Sequence, residues 1–437
     1  MQIIHKLLNN PLIIQSVLSI IARFTGVALN FAVAILITRQ LSLGNAGVLF
    51  LLMTFVAGVA LISRVGLDQL IVKEVASARA EHIHFKSAYL KHTHLLVLYI
   101  SLGFVALWLL LSPFMQSTFF HHEIALNQLM WASVCIIFFN MMIVNSFYLK
   151  AVQQSSLSVL TQNALPAVSF LIIIAFGWHY FGSGGGHIMI YIASLVIAGI
   201  CSFWIVKPYS VFTPDAGHNA PPLRQLFIKS LPLAPISLFS FMMLWADTMM
   251  VGYFLSNEKV ALYNVAAKIS YISLFFLGAL DATIYPRLLA VYNHQPERLW
   301  SFFWQATALV IVTLFLVTST MYALSDYLLI AFKPEYLAAS GVLTLLLFAQ
   351  LLRAASLTFS FLFIAREKVR FLNVSLTIAI TVNLLANILL IPKYGIEGAA
   401  IATFMANGVL VALVIILFYQ QKLLSRSTVS EAATYDS

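Results

Sequence analysis

Three cations stand inside apolar stretches of this 437-residue chain: Arg23, Lys268 and Arg353. A charged side chain at the centre of a bilayer costs about 2.5–3.5 kcal/mol on insertion scales. Each therefore needs a partner, a water-filled space or a route to the surface. Arg23 shares one helical face with Gln15, Ser19, Gly26 and Asn30, at spacings of 4, 4, 3 and 4. Lys268 has Asn264 at i−4 and Tyr271 at i+3, and Arg353 is accompanied by Gln350, Ser356 and Ser360. One acid, Asp247, falls well inside an apolar stretch, on a stripe with Ser237 and Ser240. The chemistry open to this set is binding: cations and amides for an anionic ligand, and Asp247 for coupling to a proton or to Na+. The competing reading is structural, with Asp247 paired to Lys268 or Arg353 and Lys268 snorkelling to the outer interface about 12 Å away. Three cations against one acid leave two over, which favours a ligand. Arg64, at the end of the second apolar stretch, either receives an anionic head group or marks the interface.

Other candidate chemistry is thinner. His82, His84, His92 and His94 form two H-x-H pairs, which the basic context assigns to a solvated loop rather than to a metal. GSGGG at 182–186 is a flexible turn, because no G-K-[ST] follows to hold a nucleotide. No nucleophile–base arrangement stands out and no loop is large enough for a catalytic domain, so an enzyme, a cofactor and a metal site are not expected. Cys135 and Cys201 both lie in apolar stretches and fill space. Asp68 and Asp281 are expected to cap or to make contacts between lobes.

The elements that must position these residues are membrane helices. The chain is 61% hydrophobic and 9% charged, against about 25% charged in soluble domains. A helix needs about 20 apolar residues to cross the hydrocarbon core. Twelve stretches qualify: 13–38, 46–66, 90–112, 127–149, 157–180, 187–206, 230–254, 261–284, 301–324, 338–364, 372–392 and 396–420. The first is too long for a signal h-region and is expected to stay. With the N-terminus inside, seventeen of the 24 Lys and Arg residues fall on inner segments and four on outer loops, namely Arg39, Lys259, Lys333 and Lys393. That asymmetry predicts both termini cytoplasmic. The net charge of +9 then reports topology and contact with anionic lipid, not nucleic acid.

The chain also repeats itself. Leu41–Ser42 recurs at Leu255–Ser256 and Gly47 corresponds to Ala261, at an offset of 214, while GLDQLI at 66–71 recurs as ALDATI at 279–284. Two parallel six-helix lobes related by a pseudo-twofold axis normal to the membrane are expected, a known transporter plan. The expected boundaries are 1–206, a cytoplasmic linker at 207–228, 229–421, and a disordered cytoplasmic tail at 422–437.

Three segments carry a family resemblance. ITRQLSLGNAGVLFLLMTFVAGVALISRVGLDQLIVKEVA (37–76) resembles the opening of Wzx-type polysaccharide flippases, in the multidrug/oligosaccharidyl-lipid/polysaccharide exporter superfamily. ADTMMVGYFLSNEKVALYNVAAKI (246–269) repeats the likeness. In NLLANILLIPKYGIEGAAIATFMANGV (383–409) an asparagine-bearing helix leads into IP-x-YG-x-x-GAA-x-A. Val48–Leu49 and Ala261 depart from the pattern at packing positions. The resemblance implies a two-lobed, all-helical membrane protein that moves undecaprenyl-diphosphate-linked oligosaccharides across the bacterial inner membrane by alternating access. O-antigen, capsule or exopolysaccharide biosynthesis would use such a step, with a polysaccharide polymerase and a chain-length regulator as partners. Arg23, Lys268, Arg353, Arg64, Asn30 and Asn264 would then face the diphosphate, whose charge and acceptors suit Arg and Lys. One rival is a multidrug antiporter of the same superfamily, whose cavity for cationic drugs should be acidic. The other is a membrane polymerase or ligase for lipid-linked sugars, which should show a large polar periplasmic loop.

Overall fold

In a computed structural model, residues 11–80, 87–181, 185–210 and 221–421 are described. Part of the expected linker, the tail at 422–437, His82 and His84 lie outside them, as do the side chains of Gln15, Ser237 and Ser240. The described residues are helices joined by short turns, with no strand among them. They form α1 (Pro11–Gln40), α2 (Leu43–Ser63), α3 (Leu67–Ala80), α4 (Ser87–Thr118), α5 (Leu126–Ala151), α6 (Ser155–Gly177), α7 (Gly186–Ser210) and the short α8 (Leu223–Ser230). Then come α9 (Ala234–Phe254), α10 (Asn257–Ser270), α11 (Ile272–His294), α12 (Leu299–Ala323), α13 (Ser325–Phe332), α14 (Ser340–Ala355), α15 (Leu357–Ala365) and α16 (Val369–Gln420). The chain divides into two compact units, Met1–Trp245 and Ala246–Ser437.

Ten of these helical stretches are long and apolar enough to cross a membrane. The twelve expected from the sequence need two further readings. One is α9, whose 21 residues reach about 31 Å. The other is α16, counted once although it has 52 residues. As a straight rod it would run about 78 Å, more than twice a ~30 Å core. Its backbone leaves helical geometry at Gly395 (φ 60°, ψ −139°), a region only glycine occupies without strain. Three residues on, a Cβ at Gly398 would lie 2.6 Å from the Leu390 carbonyl carbon, so the chain folds back onto itself there. Asn387 and Thr403, about 24 Å apart along a straight helix, both bond one carboxylate. The IP-x-YG-x-x-GAA motif is therefore the tip of a helical hairpin, and α16 is two antiparallel limbs.

In the first unit, α5 packs on α7, α4 and α3. Leu67, Leu70 and Ile71 of α3 join Tyr89, Leu90, Tyr148 and Leu149 in one buried cluster, which Leu226 of α8 completes from the linker side. Lys229 of α8 pairs with Glu74 at 3.0 Å, and the Pro221 carbonyl lies 3.0 Å from His92 Nδ1. At the ends of α5 and α7 the Tyr148 hydroxyl donates to the Tyr209 carbonyl. Lys150 lies over Phe147 and Lys207 over Trp204. Such long side chains cover apolar surface with their stems and reach water with their heads.

In the second unit Phe303 stacks on Phe418, and Phe359 meets both edge-to-face, at the centre of a cluster shared by α11, α12, α15 and α16. One piece of the sequence repeat has a local counterpart. Ser42 (φ −63°, ψ 160°) and Ser256 (φ −65°, ψ 158°) hold the same backbone conformation ahead of α2 and α10, and Gly47 and Ala261 are both buried.

Candidate functional site

Asp247, on α9 and 8% exposed, gathers four hydrogen bonds in the second unit. Its Oδ1 accepts from Asn383 Nδ2 at 3.1 Å and from Asn387 Nδ2 at 2.6 Å. Its Oδ2 accepts from the Tyr263 hydroxyl at 2.9 Å and from the Thr403 hydroxyl. Three elements converge: α10 brings Tyr263, the first limb of α16 brings the two asparagines, and the second limb brings Thr403. The hairpin at Gly395 is what lets both limbs reach one carboxylate. A buried carboxylate is tolerable when charge-assisted hydrogen bonds replace its water, at about 1.5–3 kcal/mol each. All four donors are uncharged, where the sequence reading weighed a pair with Lys268 or Arg353. Asn387 also donates to Asn383 Oδ1 at 3.2 Å, and its own Oδ1 meets no donor among the described residues.

Lys268 and Arg353 occupy matching places. Each sits half-buried in the last turn of a helix, α10 or α14, that is interrupted inside a membrane-length stretch, at Tyr271 and Ser356 respectively. The end of a helix carries partial negative charge on its unbonded carbonyls, which favours a cation by roughly 0.3–1 kcal/mol. At Arg353 the Ser356 backbone N–H and hydroxyl both return to the Arg353 carbonyl. α10 packs on α14, and Tyr271 lies within electrostatic range of both Arg353 and Asp247. Asn264, on the Lys268 face by spacing, is 2% exposed, and its Oδ1 meets no donor among the described residues. Gln350 and Ser356 are buried and Ser360 half-buried beside Arg353.

The remaining candidates belong to the first unit. Arg23 is exposed on α1, but its stripe divides. Gly26 packs so closely on α6 that a Cβ there would lie 2.8 Å from Asn163 Cβ. Asn30 donates to the carbonyls of Gly26 and Asn163, both at 2.8 Å. Asn163 sits in a π-helical turn, Leu160–Ala164, where i→i+5 pairing disturbs the regular ladder. One amide hydrogen of Asn30 thus fastens α1 to that turn and the other returns to α1 itself, which leaves Oδ1 as an acceptor. Arg64 is 5% exposed where α2 breaks before α3, at Val65 (φ 49°) and Gly66 (φ 76°). It donates from a terminal guanidinium nitrogen to Asn140 Oδ1 at 2.9 Å, and its Nε lies 3.8 Å from Asp68. Asn140 in turn donates to the hydroxyls of Ser63 and Ser101. In this geometry Arg64 and Asp68 are parts of one buried network.

Two histidines read from sequence as loop residues belong instead to α4. His92 holds the linker carbonyl, while His94 lies 2.8 Å from Asn145 Oδ1 and against the Phe203 ring. Sequence reasoning missed Tyr263, Asn383, Asn387 and Thr403 as neighbours of Asp247. The signal available was the i, i+4 pair of asparagines in an otherwise apolar helix.

Comparison with known proteins follows this geometry. The model of the family described as "Polysaccharide biosynthesis protein" matches residues 14–292, more than half of the chain. The probable low-salt glycan biosynthesis flippase Agl15 of Haloferax volcanii is 26% identical over 191 residues. That match takes in 43% of this chain, and the chain spans about two fifths (40%) of that relative's length. Among solved structures, the lipid II flippase MurJ in an inward closed conformation aligns with a TM-score of 0.70 at 15% identity, over 94% of this chain and 87% of that one. An inward-facing multidrug resistance MATE family transporter of the MOP superfamily aligns with a TM-score of 0.68 at 13% identity, over 94% and 99%. A MOP superfamily transporter from Pyrococcus furiosus aligns with a TM-score of 0.65 at 14% identity, over 95% and 96%. The fold is that of these transporters.

Proposed function

We propose that this chain, which belongs to the polysaccharide biosynthesis protein family, is a flippase for undecaprenyl-diphosphate-linked oligosaccharide repeat units. The substrate would cross the bacterial inner membrane on its way to a surface polysaccharide such as O-antigen, capsule or exopolysaccharide. The protein would work by alternating access, as twelve spans in two parallel six-helix lobes with both termini cytoplasmic. The observation that carries the reading is the pair Lys268 and Arg353, half-buried at helix interruptions within membrane-length stretches of the second unit. With Arg23, they would hold the diphosphate in a cationic cavity while the lipid tail stays in the bilayer. A diphosphate suits them, since it brings several acceptor oxygens and at least two negative charges to groups that carry only donors. Asn30 and Asn264 would meet the substrate through their amide oxygens. Arg64, fixed by Asn140 and Asp68, would shape the site more than touch the ligand.

Asp247 would couple transport to H+ or Na+. An amide presents oxygen as readily as nitrogen after a half-turn, and hydroxyls accept as well as donate. The donors that now surround Asp247 could thus become oxygen ligands for a small cation. Because that carboxylate sits behind four hydrogen bonds, it offers little to a cationic drug, which speaks against the multidrug reading. A polysaccharide polymerase and a chain-length regulator would act on the exported unit.

The test is transport of defined undecaprenyl-diphosphate sugars in vesicles holding the purified protein. Translocation that depends on the protein, without efflux of cationic dyes, is the expected result. Dye efflux without translocation of any lipid-linked sugar would overturn it in favour of the antiporter.

A further inference from the structure

The first limb of α16 presents an exposed face whose character changes along its length. Over its first three turns the face carries Arg370, Asn373, Thr377 and Thr381, all exposed and spaced 3, 4 and 4, with exposed Val374 and Ile378 beside them. Farther along, the same face continues with Leu385, Ile388 and Leu389, also exposed but apolar. A shallow, open depression of about 470 Å³ lies on this part of the face, lined by Arg370, Asn373, Val374, Thr377 and Ile378, with more apolar than polar surface.

Ordinary structural roles do not account for this face. A cation in the first turn of a helix opposes the helix dipole, so Arg370 does not serve helix stability. Its neighbours are engaged elsewhere: Arg366 lies over the Tyr292 ring and Lys368 donates to Gln421 at 2.9 Å. Arg370 faces the depression. The hydroxyls of Thr377 and Thr381 donate to the carbonyls of Asn373 and Thr377, which leaves their oxygens as acceptors. From the start of the expected span at 372 to Thr381 is about 14 Å of helix, close to half of a ~30 Å hydrocarbon core. An arginine and an asparagine at the start of that face favour water or protein over lipid, while the threonine hydroxyls are already bonded to their own helix.

We propose that this polar half-face is a loading face, which takes the diphosphate and first sugar of the lipid-linked glycan before the substrate reaches Lys268 and Arg353. The proposal rests on the flippase reading above. Arg370 supplies a planar fork of donors that matches a phosphate. Asn373, Thr377 and Thr381 supply the mixed donors and acceptors that sugar hydroxyls need. Leu385, Ile388 and Leu389 continue the face in apolar form, as the polyprenyl chain requires.

Two measurements on the full-length protein test it. The first is equilibrium binding of a fluorescent polyprenyl-diphosphate sugar to protein in nanodiscs. Arg370→Ala should weaken binding about tenfold to a hundredfold, the range that loss of a charge-assisted bond of about 1.5–3 kcal/mol represents. Arg370→Lys should recover part of the loss. The second is labelling of Asn373→Cys and Thr377→Cys by a membrane-impermeant maleimide in inside-out vesicles, with Cys135 and Cys201 replaced by serine. Both positions should label, and the polyprenyl-diphosphate sugar should protect them, while Leu385→Cys should not react. If the wild type binds the probe and Arg370→Ala binds it equally well, the loading face is refuted and the flippase reading stands. No labelling at 373 and 377 refutes it too, because the face would then lie against lipid. A wild type that binds no diphosphate probe overturns the flippase reading and this proposal together.

Discussion

Replacing Asp247 in two ways separates its structural role from its proposed coupling role. In Asp247→Asn the amide Oδ1 can keep the bonds from Asn383 and Asn387, at 3.1 and 2.6 Å in the wild type. The two amide hydrogens then point where Oδ2 accepted from Tyr263 and Thr403, and those hydroxyls reverse to accept. Four charge-assisted bonds become neutral ones, losing about 1 kcal/mol each. Against that, a buried charge no longer has to be desolvated, a term of several kcal/mol. The two largely cancel, so the melting temperature should move by only a few degrees. In Asp247→Leu nothing accepts. Thr403 falls back on the Ala399 carbonyl at 3.2 Å, but Tyr263, Asn383 and Asn387 are left with buried donors. At about 1–3 kcal/mol each the cost is about 3–9 kcal/mol, comparable to the whole stability of a domain, about 5–15 kcal/mol. Melting in detergent and flux in proteoliposomes under imposed sodium and pH gradients read out both effects. Asp247→Asn should fold and lose its gradient dependence, whereas Asp247→Leu should express poorly and melt early. If Asp247→Leu melts like the wild type, the four-donor site does not hold the unit together. If Asp247→Asn keeps the full gradient dependence, the coupling assignment fails.

Three further outcomes are expected. Arg23→Ala, Lys268→Ala and Arg353→Ala should each impair translocation while the proteins still insert, with partial rescue by Arg→Lys because charge survives without the bidentate fork; normal transport by Lys268→Ala would make that lysine a snorkelling anchor. Arg64→Ala should behave oppositely, since removing it strands Asp68 and Asn140 in a buried network at about 3–5 kcal/mol, so expression and melting should fall more than transport per folded molecule. Gly398→Ala should loosen the α16 hairpin, because its Cβ would press on the Leu390 carbonyl and lie 2.9 Å from the Ile391 nitrogen; a melting temperature equal to wild type would refute that tight turn.

Composition and apolar run length revealed the class of this protein, because a hydrocarbon solvent forces long apolar helices whatever their function. The reading of twelve spans separated 372–392 from 396–420, which is where α16 turns at Gly395. Pro392, Gly395 and Gly398 mark that turn in the sequence, since each departs from what a helix interior favours. The family motif thereby acquires a physical meaning: it brings Asn383 and Asn387 on one limb and Thr403 on the other to the same acid. Nothing in local sequence reveals that convergence, because Asp247 lies 136 residues before Asn383.

Periodicity has a second limit, visible on α1. The spacing of Ser19, Arg23, Gly26 and Asn30 places them on one side of a helix, but it does not say what stands opposite. The π-helical turn at Leu160–Ala164 claims Gly26 and Asn30, while Arg23, one turn away, remains exposed. The sign of the charge misleads in a similar way. An acid among nearby cations suggests ion pairing, yet Asp247 is held by a phenol, two amides and a hydroxyl. Uncharged donors satisfy the carboxylate without cancelling its charge. The proposed function depends on that separation: an acid locked into an ion pair with Arg353 could exchange no proton or sodium, and the arginine could hold no phosphate. Neutral donors around Asp247 would leave both available for the proposed roles.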